Sequence, residues 1–131
     1  VVFSFRNGRI IETHGLLNNL TNITMSISDE SYKVDFQEQK NYVRILSLSN
    51  PEVNSLKIVV NKKVIGKEVI NILGKDHETY LVEEYLTNEY INWEYKNYFW
   101  VDSSTGFVWK SIQQIAPNVP PIKIEILKKP A

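Results

Sequence analysis

Strand-like alternation runs through most of this 131-residue chain and constrains its fold more than any other feature. Apolar and polar residues repeat with a period of two, which places every second side chain on the same face of a strand. Val1–Phe5 and Arg9–His14 flank Asn7-Gly8, the dipeptide most typical of a two-residue hairpin turn. Only residues 15–24 carry leucines at helical spacing, and their Asn and Thr content limits any helix to a turn or two. The pattern therefore predicts an all-β protein with at most one short helix.

Turn residues divide the rest of the chain into further short strands, most of them joined by Pro, Gly, Asn or Lys at the predicted turns. We expect about nine to eleven strands in an antiparallel meander, too many for a flat open sheet, so the sheet should curl into a barrel, a half-barrel or a sandwich. The length fits a single domain spanning residues 1–131. Besides the first two strands and an aromatic hairpin near the end, the predicted strands are 32–37, 42–48, 55–61, 64–73, 77–86, 90–95 and 122–126, with turns at 61–63 and 74–76.

Composition and charge exclude several function classes. Fifteen basic residues balance fifteen acidic ones, so no overall field favours nucleic acid, and the lack of cysteine excludes disulfides and Cys-ligated zinc. The only histidines, His14 and His77, lack metal-ligand spacing and are expected to be solvent-exposed. The adjacent carboxylates Glu83 and Glu84 should point to opposite faces of a strand, so we expect solvated charges there and not a catalytic pair. The sequence predicts a protein that is not an enzyme, with no metal site and no cofactor.

The most distinctive segment runs from Asn97 to Leu127 and contains the aromatic hairpin. A loop over Ser103–Gly106 would use Gly106 for a positive φ, and the Asp102 carboxylate would accept hydrogen bonds from loop N–H groups. The expected register pairs Val101 with Val108 and Trp100 with Trp109.

Two interpretations of these aromatic residues remain open. Facing tryptophans add a large buried area and cross-strand pairing to a core. Alternatively, their flat faces, with a lysine as polar contact, stack against the C–H faces of sugar rings. The candidate ligand-binding residues are Trp93, Tyr98, Trp100, Trp109 and Lys110.

The C-terminal part of the chain resembles a known protein family. Tyr98–Ala131 resembles the C-terminal signature of the YjbF/GfcB family, the group 4 capsule polysaccharide lipoproteins of Gram-negative bacteria. Residues 6–20, which read RNGRII and then GL and NL, are similar to the family's N-terminal hairpin. The signature residues are Asp102, Thr105, Gly106, Pro120 and Pro121.

The resemblance implies an 11-stranded half-barrel of an outer-membrane lipoprotein that faces the periplasm and has no assigned catalytic residues. It also implies a lipid anchor on an N-terminal cysteine, which this chain lacks, so we expect the native N-terminal segment to be missing. The implied function is non-enzymatic help in the export or assembly of capsular polysaccharide or exopolysaccharide, by binding glycan or an export protein. The alternatives are a structural module that binds protein through an open sheet edge, and an acyl-chain carrier whose cavity is lined by strands 43–48 and 56–60.

Overall fold

The computed structural model describes residues 2–6, 8–14, 19–25, 40–49, 53–88, 91–117 and 119–127. Every regular element in these ranges is a β-strand, so none of the described residues form a helix that could cross a membrane. The nine strands of these ranges are β1 Val2–Arg6, β2 Arg9–His14, β3 Asn19–Met25, β4 Lys40–Ser49, β5 Val53–Ile72, β6 Lys75–Asn88, β7 Trp93–Asp102, β8 Val108–Gln113 and β9 Ile122–Glu125.

The strands form an antiparallel meander in which neighbours in sequence are neighbours in space. β1 and β2 make a two-stranded sheet, and β3 to β9 make a seven-stranded sheet in sequence order. Over the described residues β3 and β9 are the two end strands, so the sheet does not close into a barrel. The predicted all-β meander curled into a half-barrel is confirmed.

The longest strand, β5, corrects one prediction. A turn at residues 61–63 was expected, yet β5 runs unbroken through them with only a bulge between Val64 and Gly66. The reason lies on β6, where Glu84 faces Lys62 and Glu83 faces Lys63 in the register. Cross-strand carboxylates accommodate the lysines that the sequence alone suggests are turn residues.

Hairpin turns elsewhere follow local sequence closely. Gly8 has φ of 81°, as the predicted turn between β1 and β2 requires. β5 and β6 are joined through Leu73 and Gly74, both at positive φ, one residue earlier than expected. Predicted strand 32–37 lies outside the described residues. The segment with helical spacing is described from Asn19 onwards, where it forms β3.

The seven-stranded sheet has two distinct faces. We call the inner face the one that the β1–β2 hairpin covers together with Ile115, Ala116 and Val119, and the outer face the opposite one. The inner face carries two packed clusters. The smaller one consists of Val82, Phe99, Val101 and Val108. The larger one, which we call the inner-face core, comes from five strands and from residues that follow β8: Ile10, Leu48, Leu56, Ile58, Val60, Leu86, Trp93, Ile115, Ala116 and Val119.

Candidate functional site

The aromatic hairpin has the loop that its sequence predicts. The Asp102 N–H donates to the Phe107 carbonyl at 2.7 Å, and the Gly106 N–H donates to the Asp102 carbonyl at 3.0 Å. Gly106 has φ of 77°, a conformation that costs other residues about 1–2 kcal/mol. Ser103 is also tied to β6, since its N–H donates to the Glu78 carbonyl at 3.0 Å.

The Asp102 carboxylate organises this loop. One oxygen accepts from the N–H groups of Ser104 and Thr105 at 2.8 and 3.0 Å, and the other accepts from the Trp109 indole at 3.0 Å. Partial burial by itself would raise the pKa of Asp102, but these hydrogen bonds outweigh it, with that of Trp109 the largest, and the pKa lies below its usual value. Asp102 thus fixes the loop and one of the two hairpin tryptophans.

The register of the hairpin departs from expectation by one residue. Val101 pairs with Val108 as predicted, but the predicted pairing of Trp100 with Trp109 is wrong. A bulge intervenes, so Trp100 lies opposite Lys110. The Lys110 ammonium therefore sits over the Trp100 ring, 4.5 Å from its centroid, which is cation–π geometry.

An outer-face aromatic cluster forms where the tip of the β5–β6 hairpin meets β7 and β8. Trp100 and Trp109 pack there with Ile70 and Ile72, and each tryptophan is 8% exposed. The Trp100 indole donates to Glu68 at 3.1 Å. Buried area and satisfied N–H groups give both rings a fixed position.

His77 belongs to this cluster and corrects a second prediction. Its ring stacks on Trp109 with centroids 4.0 Å apart, and Phe107 meets the same indole edge-on at 4.8 Å. The expected solvent-exposed histidine is wrong, because the side chain is half-buried under an aromatic neighbour. For His14 only the backbone, within β2, is described.

Four of the five candidate residues share the outer face, and Trp93 does not. Trp93 is 4% exposed within the inner-face core, and its indole donates to Gln114 at 2.8 Å. Tyr98 lies beside Trp100, with ring centroids 6.5 Å apart. Trp93 and Trp100 are seven residues apart on one strand, so their opposite faces could have been inferred from parity.

Tyr98 and Lys110 are the accessible members of the outer-face group, since both are half-buried while the tryptophans are buried. Tyr98 faces Glu83 on β6, whose carboxylate is 3.0 Å from Lys96 and 3.4 Å from Lys63. The hydrogen bond to Glu83 raises the pKa of Lys96. Solvent can therefore reach the half-buried ring of Tyr98, and aromatic, cationic and hydrogen-bonding side chains lie around this ring.

A buried ion cluster on the inner face was missed by the sequence reasoning. Arg9 donates two hydrogen bonds to Glu84, at 2.7 and 2.6 Å, and Arg44 lies 3.4 Å from the same carboxylate. The prediction that Glu83 and Glu84 point to opposite faces is confirmed, but the prediction of solvated charges is wrong, because both side chains are buried. Arg9 and Glu84 are 75 residues apart, and no local pattern links them.

The Arg9–Glu84 pair fastens the β1–β2 hairpin to the sheet together with Gln113. The Gln113 side chain accepts from the Ile10 N–H and donates to the Gly8 carbonyl, both at 3.0 Å. The Arg9 guanidinium also lies 5.3 Å from the centroid of the Phe99 ring. Among the described residues no group of three or more His, Asp or Glu side chains could hold a metal ion.

Comparison with known proteins identifies the family. Residues 1–127 match the family described as "Group 4 capsule polysaccharide lipoprotein gfcB, YjbF". The chain belongs to this family. It is 30% identical over 124 residues to the uncharacterized lipoprotein GfcB of Escherichia coli K12, covering 93% of this chain and 58% of that protein. The crystal structure of the hypothetical lipoprotein YmcC from Escherichia coli K12 superposes with a TM-score of 0.84 at 26% identity, over 98% of this chain and 67% of that one.

Membership of the YjbF/GfcB family confirms the resemblance noted in the sequence and makes the chain part of a capsule polysaccharide-related lipoprotein family. The chain spans a little over half of the length of GfcB. Three of the residues that carry the family resemblance, Asp102, Thr105 and Gly106, build the hairpin loop. Pro120 and Pro121 are exposed and lead directly into β9.

Proposed function

We propose that this chain is a non-enzymatic domain of an outer-membrane lipoprotein that faces the periplasm and assists the export or assembly of capsular polysaccharide or exopolysaccharide. We further propose that it contacts the glycan through the outer face around Tyr98. Membership of a capsule polysaccharide lipoprotein family supports the biological setting. The grouping of four predicted binding residues on one face supports the place of contact.

The observation that carries this proposal is the half-exposed Tyr98 ring on a rigid aromatic base. Trp100 lies beside Tyr98 with its indole held by Glu68, and Lys110 lies over Trp100. A sugar ring needs an apolar surface for its C–H face and donors for its hydroxyls, and the tyrosine ring and the lysine ammonium provide both. Because packing already fixes the aromatic base under Tyr98, little further ordering is needed when a ligand binds, and the entropic cost of binding is low.

Three carboxylates of the described chain support a non-enzymatic role, because each is engaged in structure. Glu84 holds the β1–β2 hairpin through Arg9, Asp102 caps the aromatic loop, and Glu83 binds two lysines. The family and the GfcB relative also carry names that state no enzymatic activity.

The two alternatives find less support in the described residues. The strands expected to line an acyl-chain cavity instead contribute to the packed inner-face core, where Ile115, Ala116 and Val119 join them. Their residues in this core are Leu48, Leu56, Ile58 and Val60. The end strand β9 is four residues long, follows Pro120-Pro121 and carries Lys123 and Glu125, features that discourage the addition of another strand.

Calorimetric titration with the purified capsular polysaccharide of the source organism tests the proposal. Tyr98→Ala should weaken binding about tenfold, equivalent to about 1.4 kcal/mol. Tyr80→Ala is the matched control, since Tyr80 is also half-buried but pairs with Val101 on the inner face. The Tyr80→Ala variant should bind the polysaccharide with the affinity of the wild type. Circular dichroism confirms the fold of each variant. Absence of binding by the wild type would contradict the proposal and favour a protein partner.

A further inference from the structure

We infer that the outer face selects an acidic glycan, with Lys110 binding a sugar carboxylate while Tyr98 packs against the ring that carries it. This inference rests on the proposed function and adds the chemical class of the ligand. The chain as a whole has no net charge, so any such selectivity must come from the local arrangement of charges.

The state of Lys110 is the first argument. Glu125 lies directly opposite Lys110 in the β8–β9 register, the position where an ion pair is expected. The ammonium is instead directed over the Trp100 ring at 4.5 Å, and Lys110 forms no ion pair over the part of the chain described. A half-buried cation held by a ring keeps its three N–H donors available to an incoming carboxylate.

The spacing between Lys110 and Tyr98 is the second argument. Tyr98 pairs with Ile112, and Trp100 pairs with Lys110, so Tyr98 and Lys110 are diagonal neighbours on adjacent strands. Diagonal positions of this kind lie about 7–8 Å apart, and long side chains bridge that distance. One sugar ring resting on Tyr98 can therefore present a ring substituent to the Lys110 ammonium.

The surrounding charges favour an anion at this point. Lys123 is exposed on β9 opposite Ile112 and forms no ion pair with any described residue. Glu83 is paired with Lys63 and Lys96, so its negative charge is offset. Glu68 accepts the Trp100 indole N–H and keeps its negative charge. The exposed Glu125 lies opposite Lys110 in the register, but it forms no ion pair with Lys110 or Lys123, so one carboxylate stands beside two ammonium groups at this end of β8 and β9.

The test compares oligosaccharides from the capsular polysaccharide in their native form and after chemical reduction of carboxyl groups to alcohols. Wild-type protein should bind the native form about tenfold more tightly at low salt, and the difference should shrink at high salt, where exposed charges are screened. Lys110→Gln should lower affinity for the native form about five- to tenfold and affinity for the reduced form less than twofold, because the Gln amide still donates to a hydroxyl but carries no charge for a carboxylate. Lys110→Arg should restore most of the loss for the native form. Lys75→Gln, at the exposed tip of the β5–β6 hairpin, is the matched control and should bind as the wild type does.

Three results would overturn the inference in distinguishable ways. Equal binding of the native and reduced forms, including the case of a polysaccharide without carboxylates, refutes acidic selectivity and leaves the proposed glycan function intact. Binding of neither form refutes the proposed function itself. Equal losses in Lys110→Gln and Lys75→Gln would assign the effect to overall charge and not to the placement of Lys110.

Discussion

Removing the buried charge of Glu84 should destabilise the domain strongly. Glu84 is fully buried and receives two hydrogen bonds from Arg9 at 2.7 and 2.6 Å, with Arg44 at 3.4 Å. Glu84→Gln keeps the size of the side chain but leaves two guanidinium groups without the carboxylate that they share. Breaking a buried pair in this way costs about 3–5 kcal/mol. Because a domain of this size has a total stability of about 5–15 kcal/mol, the variant should lose a large part of it.

Urea denaturation followed by circular dichroism measures this loss directly. The midpoint should fall while the slope of free energy against urea stays constant, since a change in midpoint alone reports stability. Thermal unfolding should show a decrease in Tm of roughly 10–20 °C. Hydrogen exchange at the Ile10 N–H, which Gln113 holds against the sheet, should accelerate because the β1–β2 hairpin loses its main attachment.

Glu83→Gln is the matched control for this prediction. Glu83 is the neighbouring glutamate and is also buried, but its partners Lys63 and Lys96 have side chains 53% and 50% exposed. Ion pairs with exposed partners contribute about 1 kcal/mol or less. Equal losses for the two variants, or a loss below about 1 kcal/mol for Glu84→Gln, would refute the role given to the buried cluster.

Two further predictions concern the turns. Gly8→Ala should lower the free energy of unfolding, measured in urea, by about 2–4 kcal/mol, for two reasons. Alanine is strained at the positive φ of this position, and its Cβ would lie only 2.5 Å from the Val108 side chain. Gly74→Ala, at a similar φ with open space, should cost about 1–2 kcal/mol, and equal costs would contradict the close approach. The lowered pKa of Asp102 adds stability above the usual Asp pKa of about 3.9, which is lost as pH falls through the folded value. Asp102→Asn should therefore reduce the decline of the free energy of unfolding below about pH 4. It should also shift the Trp109 indole resonance. If the free energy of unfolding of the variant depends on pH as that of the wild type does, this role of Asp102 is contradicted.

Features set by neighbouring residues could be predicted from sequence. The first hairpin follows from Asn7-Gly8, and the aromatic loop follows from Asp102 and Gly106, because each turn depends on the conformational freedom of a glycine or the acceptor of one carboxylate. The period-two pattern likewise fixes which strand residues share a face. Applied to Trp93 and Trp100, this pattern assigns the two side chains to opposite faces from their spacing alone.

Features that depend on distant residues could not be predicted. The residues around Lys62 are typical of a turn, and they form a strand because the carboxylates of β6 lie opposite them. The burial of Glu84 likewise requires Arg9, which is 75 residues away in the sequence. The bulge that brings Lys110 opposite Trp100 shifts the register by one residue, which alternation alone does not encode. The candidate site therefore depends more on this bulge, which places Lys110 opposite Trp100, than on the number of aromatic residues in the hairpin.

The three indole N–H resonances give the most direct test of the proposed binding face. Trp100 and Trp109 lie on the outer face with their N–H groups on Glu68 and Asp102, whereas Trp93 lies on the inner face with its N–H on Gln114. In a nuclear magnetic resonance titration with capsular oligosaccharide, the Trp100 resonance should shift most and saturate, and that of Trp93 should stay in place. A saturable shift confined to Trp93, or no indole shift at concentrations that saturate binding by calorimetry, would contradict the account.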